Sequence, residues 1–306
     1  MASPARRTPS SPDRRGGAGA PGLHARSFRD GLRAVRLVHP FPTVLNALAA
    51  VALAAVALRG RPDAPLALRL MGTMLAVQSA VGVVNDCVDR DLDAATKPWK
   101  PIPAGLVSPR LAWVLGVLAA AVGIALGATL GGAACALSTA GMAVGLAYDL
   151  RLKRTAWSGL TYAVALPLVP IWVWTAAGRY RPALLWVIPI GLVLGASLQL
   201  VNTLPDLEGD GSHGVRGTAH RLGRRRALAA AWGGYLAAVL LAVTLGLALG
   251  HRQPLLFGGA VLALALLAVA ISAWLLRRDT VALQFGWSVL APGAGVLAVS
   301  WLAALR

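Results

Sequence analysis

The sequence predicts an all-α membrane protein, a bundle of nine transmembrane helices. Of its 306 residues, 57% are hydrophobic and only 13% are charged, whereas a soluble protein carries about 25% charged residues. Uncharged runs of about 20 residues, the length that crosses a bilayer as a helix, recur along the chain. The basic residues fall in short blocks between these runs.

The runs without charged residues place the individual helices. The nine predicted ranges are 38–58, 66–86, 110–128, 132–148, 157–177, 183–204, 227–249, 254–276 and 281–304. The third and fourth come from one uncharged stretch, from Leu111 to Tyr148, that is too long for a single crossing. Gly131 and Gly132 supply a turn inside it, and counts of eight or ten helices remain open.

The distribution of lysine and arginine predicts the orientation. With the N-terminus inside, 22 of the 29 basic residues lie on the cytoplasmic side and seven on the other, as the positive-inside rule expects. Topology therefore explains the net charge of +17 better than nucleic-acid binding does. Residues 1–35 are rich in Arg, Pro, Gly and Ser and are predicted to form a disordered basic cytoplasmic tail. Residues 36–306 are predicted to form the membrane domain. The chain is thus predicted to be a multi-pass protein of the cell membrane.

Seven of the 12 acidic residues are concentrated in two short windows, both on the predicted cytoplasmic side. The first window contains Asp86, Asp89, Asp91 and Asp93, and the second contains Asp206, Glu208 and Asp210. Each window carries an asparagine and two aspartates four residues apart, a spacing that stacks side chains along one helix face. These two sets are Asn85, Asp89 and Asp93, with Asp86 close by, and Asn202, Asp206 and Asp210.

Such clusters are costly without a cation. An ionised aspartate near lipid costs up to about 3 kcal/mol, and like charges four residues apart on a helix repel each other. Mg²⁺ takes oxygen ligands, usually one or two carboxylates together with substrate phosphate oxygens. The repeated spacing therefore favours two Mg²⁺ ions that bridge a diphosphate over the alternative of solvated loop charges.

Basic side chains near the two windows are candidates to complement diphosphate oxygens. They are Lys97 and Lys100 after the first window and Lys153 and Arg154 in a later loop. Taken singly, each is also explained as a positive-inside charge. Lys153 is the first candidate, because its loop is predicted on the same side of the membrane as both windows.

Four motifs together resemble the UbiA superfamily of intramembrane prenyltransferases. They are Asn-Asp-x-x-Asp-x-x-x-Asp from Asn85, Lys-Pro-x-Lys-Pro-Ile-Pro-Ala-Gly from Lys97, the segment from Tyr148 to Lys153, and Asp-Leu-Glu-Gly-Asp from Asp206. The likeness extends over nearly the whole chain beyond the tail. The resemblance implies a nine-helix bundle with a central cavity open to the cytoplasm and to lipid. It also implies Mg²⁺-dependent loss of diphosphate from a prenyl diphosphate donor and transfer of the prenyl group to an aromatic or lipid acceptor.

The resemblance also implies roles for individual residues. Asn85, Asp89 and Asp93 would hold one Mg²⁺ ion and Asp206 and Asp210 the other. Asp86 and Asn202 would support them, and Lys153 and Tyr148 are the catalytic candidates. Gln78, two turns deeper than Asn85, is a candidate to orient the acceptor, although an interhelical hydrogen bond would equally explain it.

Two other functions stay open. A terpene cyclase of the same superfamily would use the same metal site, but the double bonds of its own substrate would capture the cation. A cation transporter would place its carboxylates near the membrane midplane on broken helices, whereas these lie at helix ends on one side.

Overall fold

The structure, a computed structural model, describes residues 30–207, 217–250 and 254–305, and every regular element in these ranges is helical. The α-helices after residue 38 are α1 Pro40–Leu58, α2 Ala64–Val88, α3 Arg90–Thr96, α4 Pro109–Ala128, α5 Gly132–Leu150, α6 Leu160–Ala176, α7 Val187–Thr203, α8 Thr218–Ala248, α9 Pro254–Arg277 and α10 Thr280–Ala304. The predicted tail at 1–35 lies almost entirely outside the described residues.

Eight segments are long and apolar enough to cross a membrane: α1, α2, α4, α5, α7 together with the 3-10 turn Pro182–Trp186 before it, α8, α9 and α10. Helix α6 is apolar but has only 17 residues, a length of about 25 Å against a hydrocarbon core of about 30 Å. The prediction of an all-α membrane protein is thus confirmed, while the count of nine spans stays a prediction.

Most helix ends agree with the sequence to within a few residues, because local chemistry marks them. Asp63, Ser108 and Asp279 cap α2, α4 and α10 by accepting hydrogen bonds from backbone amides of the first turn, which otherwise have no partner. Helix α8 is the main exception. It begins at Thr218 instead of the predicted 227, and Gly223 breaks its helical geometry with φ 72° and ψ 159°.

Two hydrophobic clusters hold the helices together. The larger one includes the fully buried side chains of Trp301, Tyr235 and Leu290. The smaller one packs Ile102 and Val107 of the α3–α4 loop against the end of α2. Since this loop carries Lys100, its apolar anchors position that lysine beside the acidic window.

Helices α6 and α7 pack tightly at Gly195, where an added Cβ would lie 2.6 Å from the backbone N and Cα of Ala163. We therefore expect Gly195→Ala to destabilise the fold by about 1–3 kcal/mol through overpacking, seen as a lower melting temperature in detergent. Gly258→Ala is the control, because a Cβ there meets nothing within 4 Å. Equal melting temperatures for the two variants would contradict this account.

Candidate active site

The first acidic window lies where the backbone turns from α2 into α3. Helix α2 ends at Val88, Asp89 has φ −91° and ψ 5°, and α3 begins at the next residue. The window therefore spans a helix break, which differs from the single continuous face that the spacing predicts. Asp86 and Asp93 are 2% and 3% exposed. Asp91 points outward, with a side chain that is 91% exposed.

Lys100 joins the two most buried carboxylates of the window. Its Nζ donates hydrogen bonds to Asp86 Oδ1 at 2.8 Å and to Asp93 Oδ2 at 2.7 Å. His39 Nε2 lies 3.0 Å from the same Asp86 oxygen. Burial disfavours the charged ammonium, but the hydrogen bonds to Asp86 and Asp93 outweigh this and raise the pKa of Lys100.

A second set of contacts ties the window to the end of α5 and the loop after it. Lys153 Nζ donates to Asp89 Oδ1 at 2.6 Å, and Arg154 Nη2 lies 4.0 Å from the same oxygen. Asn85 Nδ2 donates to Asp149 Oδ1 at 2.8 Å. Asp149 is 3% exposed, and its other carboxylate oxygen has no hydrogen-bond partner among the described residues.

Helix α7, which leads to the second acidic window, contacts the last turn of α5 at Tyr148, the residue before Asp149. Gln199 Nε2 donates a 3.4 Å hydrogen bond to the Tyr148 hydroxyl. Asn202 lies one turn further along α7 and is half-buried. The side chain of Asp206 and all of Asp210 lie outside what the structure describes, so their predicted place beside the first window stays a prediction.

Two other predicted residues lie apart from the carboxylates. Lys97 is exposed, and its backbone N–H donates to the Asp93 carbonyl at the end of α3. Gln78 is half-buried, and its Nε2 lies 3.8 Å from Met74 Sδ one turn away. Their predicted contacts with substrate stay predictions.

The structure adds two residues that the sequence patterns do not select. His39 approaches Asp86 because Gly82 on α2 leaves room for the imidazole ring, which lies within 3.2 Å of where a Cβ would be. In the sequence, Asp149 adjoins the basic loop and resembles a further charged loop residue. In the structure it lies in the last turn of α5. A carboxylate at the end of an otherwise uncharged helix is the signal that would have identified it.

The cluster offers the oxygen donors that Mg²⁺ prefers. Asn85, Asp89 and Asp93 lie at the end of α2 and the start of α3, and Asp149 adds the buried carboxylate oxygen without a partner. Among the described residues no three His, Cys, Asp or Glu side chains form a complete metal site. The donors thus fit Mg²⁺ in kind, with further ligands required from a substrate or from the second window.

We expect Lys100→Met to destabilise the protein by about 3 kcal/mol, because it leaves two buried carboxylates without their shared cation. The measurement is the free energy of unfolding, or the melting temperature, in detergent. Lys97→Met is the matched control, since Lys97 is exposed and belongs to the same loop. A Lys100→Met protein as stable as this control would contradict the structural role of the ammonium.

Comparison with known proteins identifies relatives of this chain. The model of the UbiA prenyltransferase family matches residues 45–304. The digeranylgeranylglyceryl phosphate synthase of Korarchaeum cryptofilum is 33% identical over 153 residues, which are 49% of this chain and 54% of that protein. The synthase of the same name from Methanoregula boonei is 30% identical over 224 residues, 61% of this chain and 76% of that protein. A UbiA homolog from Archaeoglobus fulgidus, solved with GPP and Mg²⁺, has a TM-score of 0.68 at 18% identity over 87% of this chain and 99% of that one.

Proposed function

The chain belongs to the UbiA prenyltransferase family, and from this premise we propose that it transfers a prenyl group from an isoprenyl diphosphate to an aromatic or lipid acceptor within the membrane, releasing diphosphate. The observation that carries the proposal is the pairing of Lys100 and Lys153 with the carboxylates around the break between α2 and α3. A diphosphate leaving group needs this combination of cations and metal-binding oxygens.

Two Mg²⁺ ions are proposed to act with the protein. Asn85, Asp89 and Asp93 would hold one, and Asp206 and Asp210 the other, with Asp86 and Asn202 in support. The Mg²⁺ and GPP named for the Archaeoglobus homolog support the use of Mg²⁺ with a prenyl diphosphate. When bound, the ions supply positive charge that offsets the charge that accumulates on the leaving diphosphate.

The reaction itself is proposed to be electrophilic. The bond between the allylic carbon and the diphosphate oxygen breaks, and its electron pair leaves with the diphosphate. Lys153 is positioned to donate a hydrogen bond to a diphosphate oxygen as negative charge grows there. Apolar side chains of the proposed central cavity would exclude water that otherwise quenches the allylic cation. An aromatic carbon or a hydroxyl oxygen of the acceptor then attacks the cation and loses a proton.

The membrane arrangement is part of the proposal. Helix α6, with the eight long apolar segments, would make nine spans around a central cavity. The cavity would open to the cytoplasm, with the N-terminus on the same side. The excess of lysine and arginine on that side supports this orientation.

A diphosphate-release assay tests the function directly. The purified protein is incubated with farnesyl or geranylgeranyl diphosphate and a panel of aromatic and lipid acceptors, with Mg²⁺ or with EDTA. We expect release that requires both Mg²⁺ and an acceptor, with a prenylated acceptor as product. A cyclic hydrocarbon formed without acceptor would instead identify a terpene cyclase, and the absence of any diphosphate release would refute both.

A further inference from the structure

A groove between α8 and α9 lies apart from the acidic cluster but at the same end of the bundle. Helix α8 starts there, since Thr218 N donates to Ser158 Oγ in the segment that follows Lys153. Helix α9 ends there at Arg277. The groove has a volume of about 460 Å³, and two kinds of side chain line it. Its basic residues are Arg224, Arg225 and Arg278, and its apolar residues are Leu228, Ala229, Trp232, Trp274 and Leu275.

The charge of the groove is strongly positive. Arg225 and Arg278 are exposed, and within the described residues neither forms an ion pair with a carboxylate. The nearest acid in sequence, Asp279, already accepts hydrogen bonds from Arg277 Nε at 3.1 Å and from the Ala282 amide at 2.8 Å. The groove therefore favours an anion.

Backbone geometry adds to this preference. Gly223 interrupts α8, so the helical segment that runs into the membrane starts at Arg224. The amide N–H groups in the first turn of a helix lack intrahelical acceptors and attract negative charge. The first turn of this segment thus contains Arg224 and Arg225, two of the arginines that line the groove.

The remaining lining residues indicate a lipid ligand. Trp232 and Trp274 continue the groove from its basic rim along the two helices, and tryptophan is typical of the membrane–water interface. Leu228 and Leu275 extend the apolar wall between them. A ligand that matches the whole groove needs a phosphate group at one end and a hydrocarbon chain at the other. Basic pockets between transmembrane helices are known to bind anionic lipid headgroups.

We propose that this groove is a binding site for an anionic phospholipid, with its phosphate on Arg225 and Arg278 and an acyl chain along Trp232 and Trp274. The same two tryptophans and Leu228 also line a buried crevice that reaches Val201 and Leu204 of the segment before the second acidic window. The bound lipid therefore packs against Leu228, Trp232 and Trp274, the residues shared with this crevice.

Native mass spectrometry of the full chain, released from nanodiscs with equal amounts of phosphatidylglycerol and phosphatidylcholine, tests the site. The wild type is expected to retain phosphatidylglycerol preferentially. Arg225→Gln with Arg278→Gln should weaken this retention about 25-fold, since each basic residue near the surface contributes about five-fold. In the wild type, phosphatidylglycerol brominated on its acyl chain should quench tryptophan fluorescence more than brominated phosphatidylcholine does.

The matched control is Arg179→Gln with Arg181→Gln, which removes two exposed arginines from the opposite end of the bundle. This control should keep the wild-type preference. Equal retention of both lipids by the wild type, or equal loss of preference in both double variants, would overturn the proposal. Displacement of the retained lipid by millimolar inorganic phosphate would also overturn it, because a lipid held by its chain resists a free anion.

Discussion

Asp89→Asn is expected to lower the rate of diphosphate release by about 10³-fold or more, because it removes a charge that the proposed metal site requires. Asp89 lies at the break between α2 and α3, and its side chain is 14% exposed, against 2% for Asp86 and 4% for Asp93. It is therefore the most accessible carboxylate of the three. Asparagine keeps the size and can still accept the Lys153 hydrogen bond, so we expect the protein to insert and purify normally.

The control for this experiment comes from the same window. Asp91 carries the same charge, but its side chain is 91% exposed and faces Arg90. Asp91→Asn should therefore retain nearly full activity, whereas Asp206→Asn should match the loss at Asp89. Turnover close to wild type in Asp89→Asn or in Asp206→Asn would refute the metal assignment, and an equal loss in Asp91→Asn would indicate a general effect of charge.

The fold was largely predictable because lipid imposes a simple rule on the sequence: spans exclude charge. The rule is weakest where helices extend beyond the hydrocarbon. Helix α8 begins nine residues earlier than predicted, at Thr218 against 227, because Arg221 and Arg224–Arg226 lie in helical turns outside the apolar run. Hydropathy identifies the segment inside the membrane, whereas hydrogen bonding defines the helix.

The spacing of the acidic residues predicts the chemistry of the cluster, but it does not predict the hydrogen-bond partners of these residues. Asn85 meets Asp149 and Asp89 meets Lys153, each across 64 residues of sequence. This shared offset arises because α2 and α5 lead toward the same end of the bundle. Residues four apart at the end of α2 and the break after it therefore find partners four apart at the end of α5 and in the turn after it. Only the packing of the two helices, which periodicity does not determine, selects these partners.

His39 shows why further site residues escape prediction from sequence. Its contact with Asp86 depends on a left-handed backbone conformation, φ 49° and ψ 60°, and on the missing Cβ of Gly82. Neither feature produces a repeated pattern along the chain. The contact matters because Asp86 is buried and its carboxylate hydrogen-bonds to both His39 and Lys100, which hold it in place.

Lys153→Ala is expected to lower kcat by about 10²- to 10³-fold, the usual effect of removing one donor that stabilises developing negative charge. The Lys153 side chain is 10% exposed and lies on Asp89, so the change removes a charge at the reacting end of the proposed substrate. Because the interaction strengthens as the diphosphate leaves, kcat should fall more than KM rises. Lys153→Arg should recover part of the rate by keeping the charge.

Arg151→Ala is the control for Lys153, since Arg151 is exposed and lies two residues away in the same segment. It should leave kcat within a few-fold of wild type. The double variant Asp89→Asn with Lys153→Ala should be little slower than Asp89→Asn alone, because residues that act as a unit are not additive. If Lys153→Ala instead keeps the wild-type kcat, the ion pair between Lys153 and Asp89 serves the fold and not the departure of diphosphate. If the two losses simply multiply, Lys153 and Asp89 act independently and not as one unit.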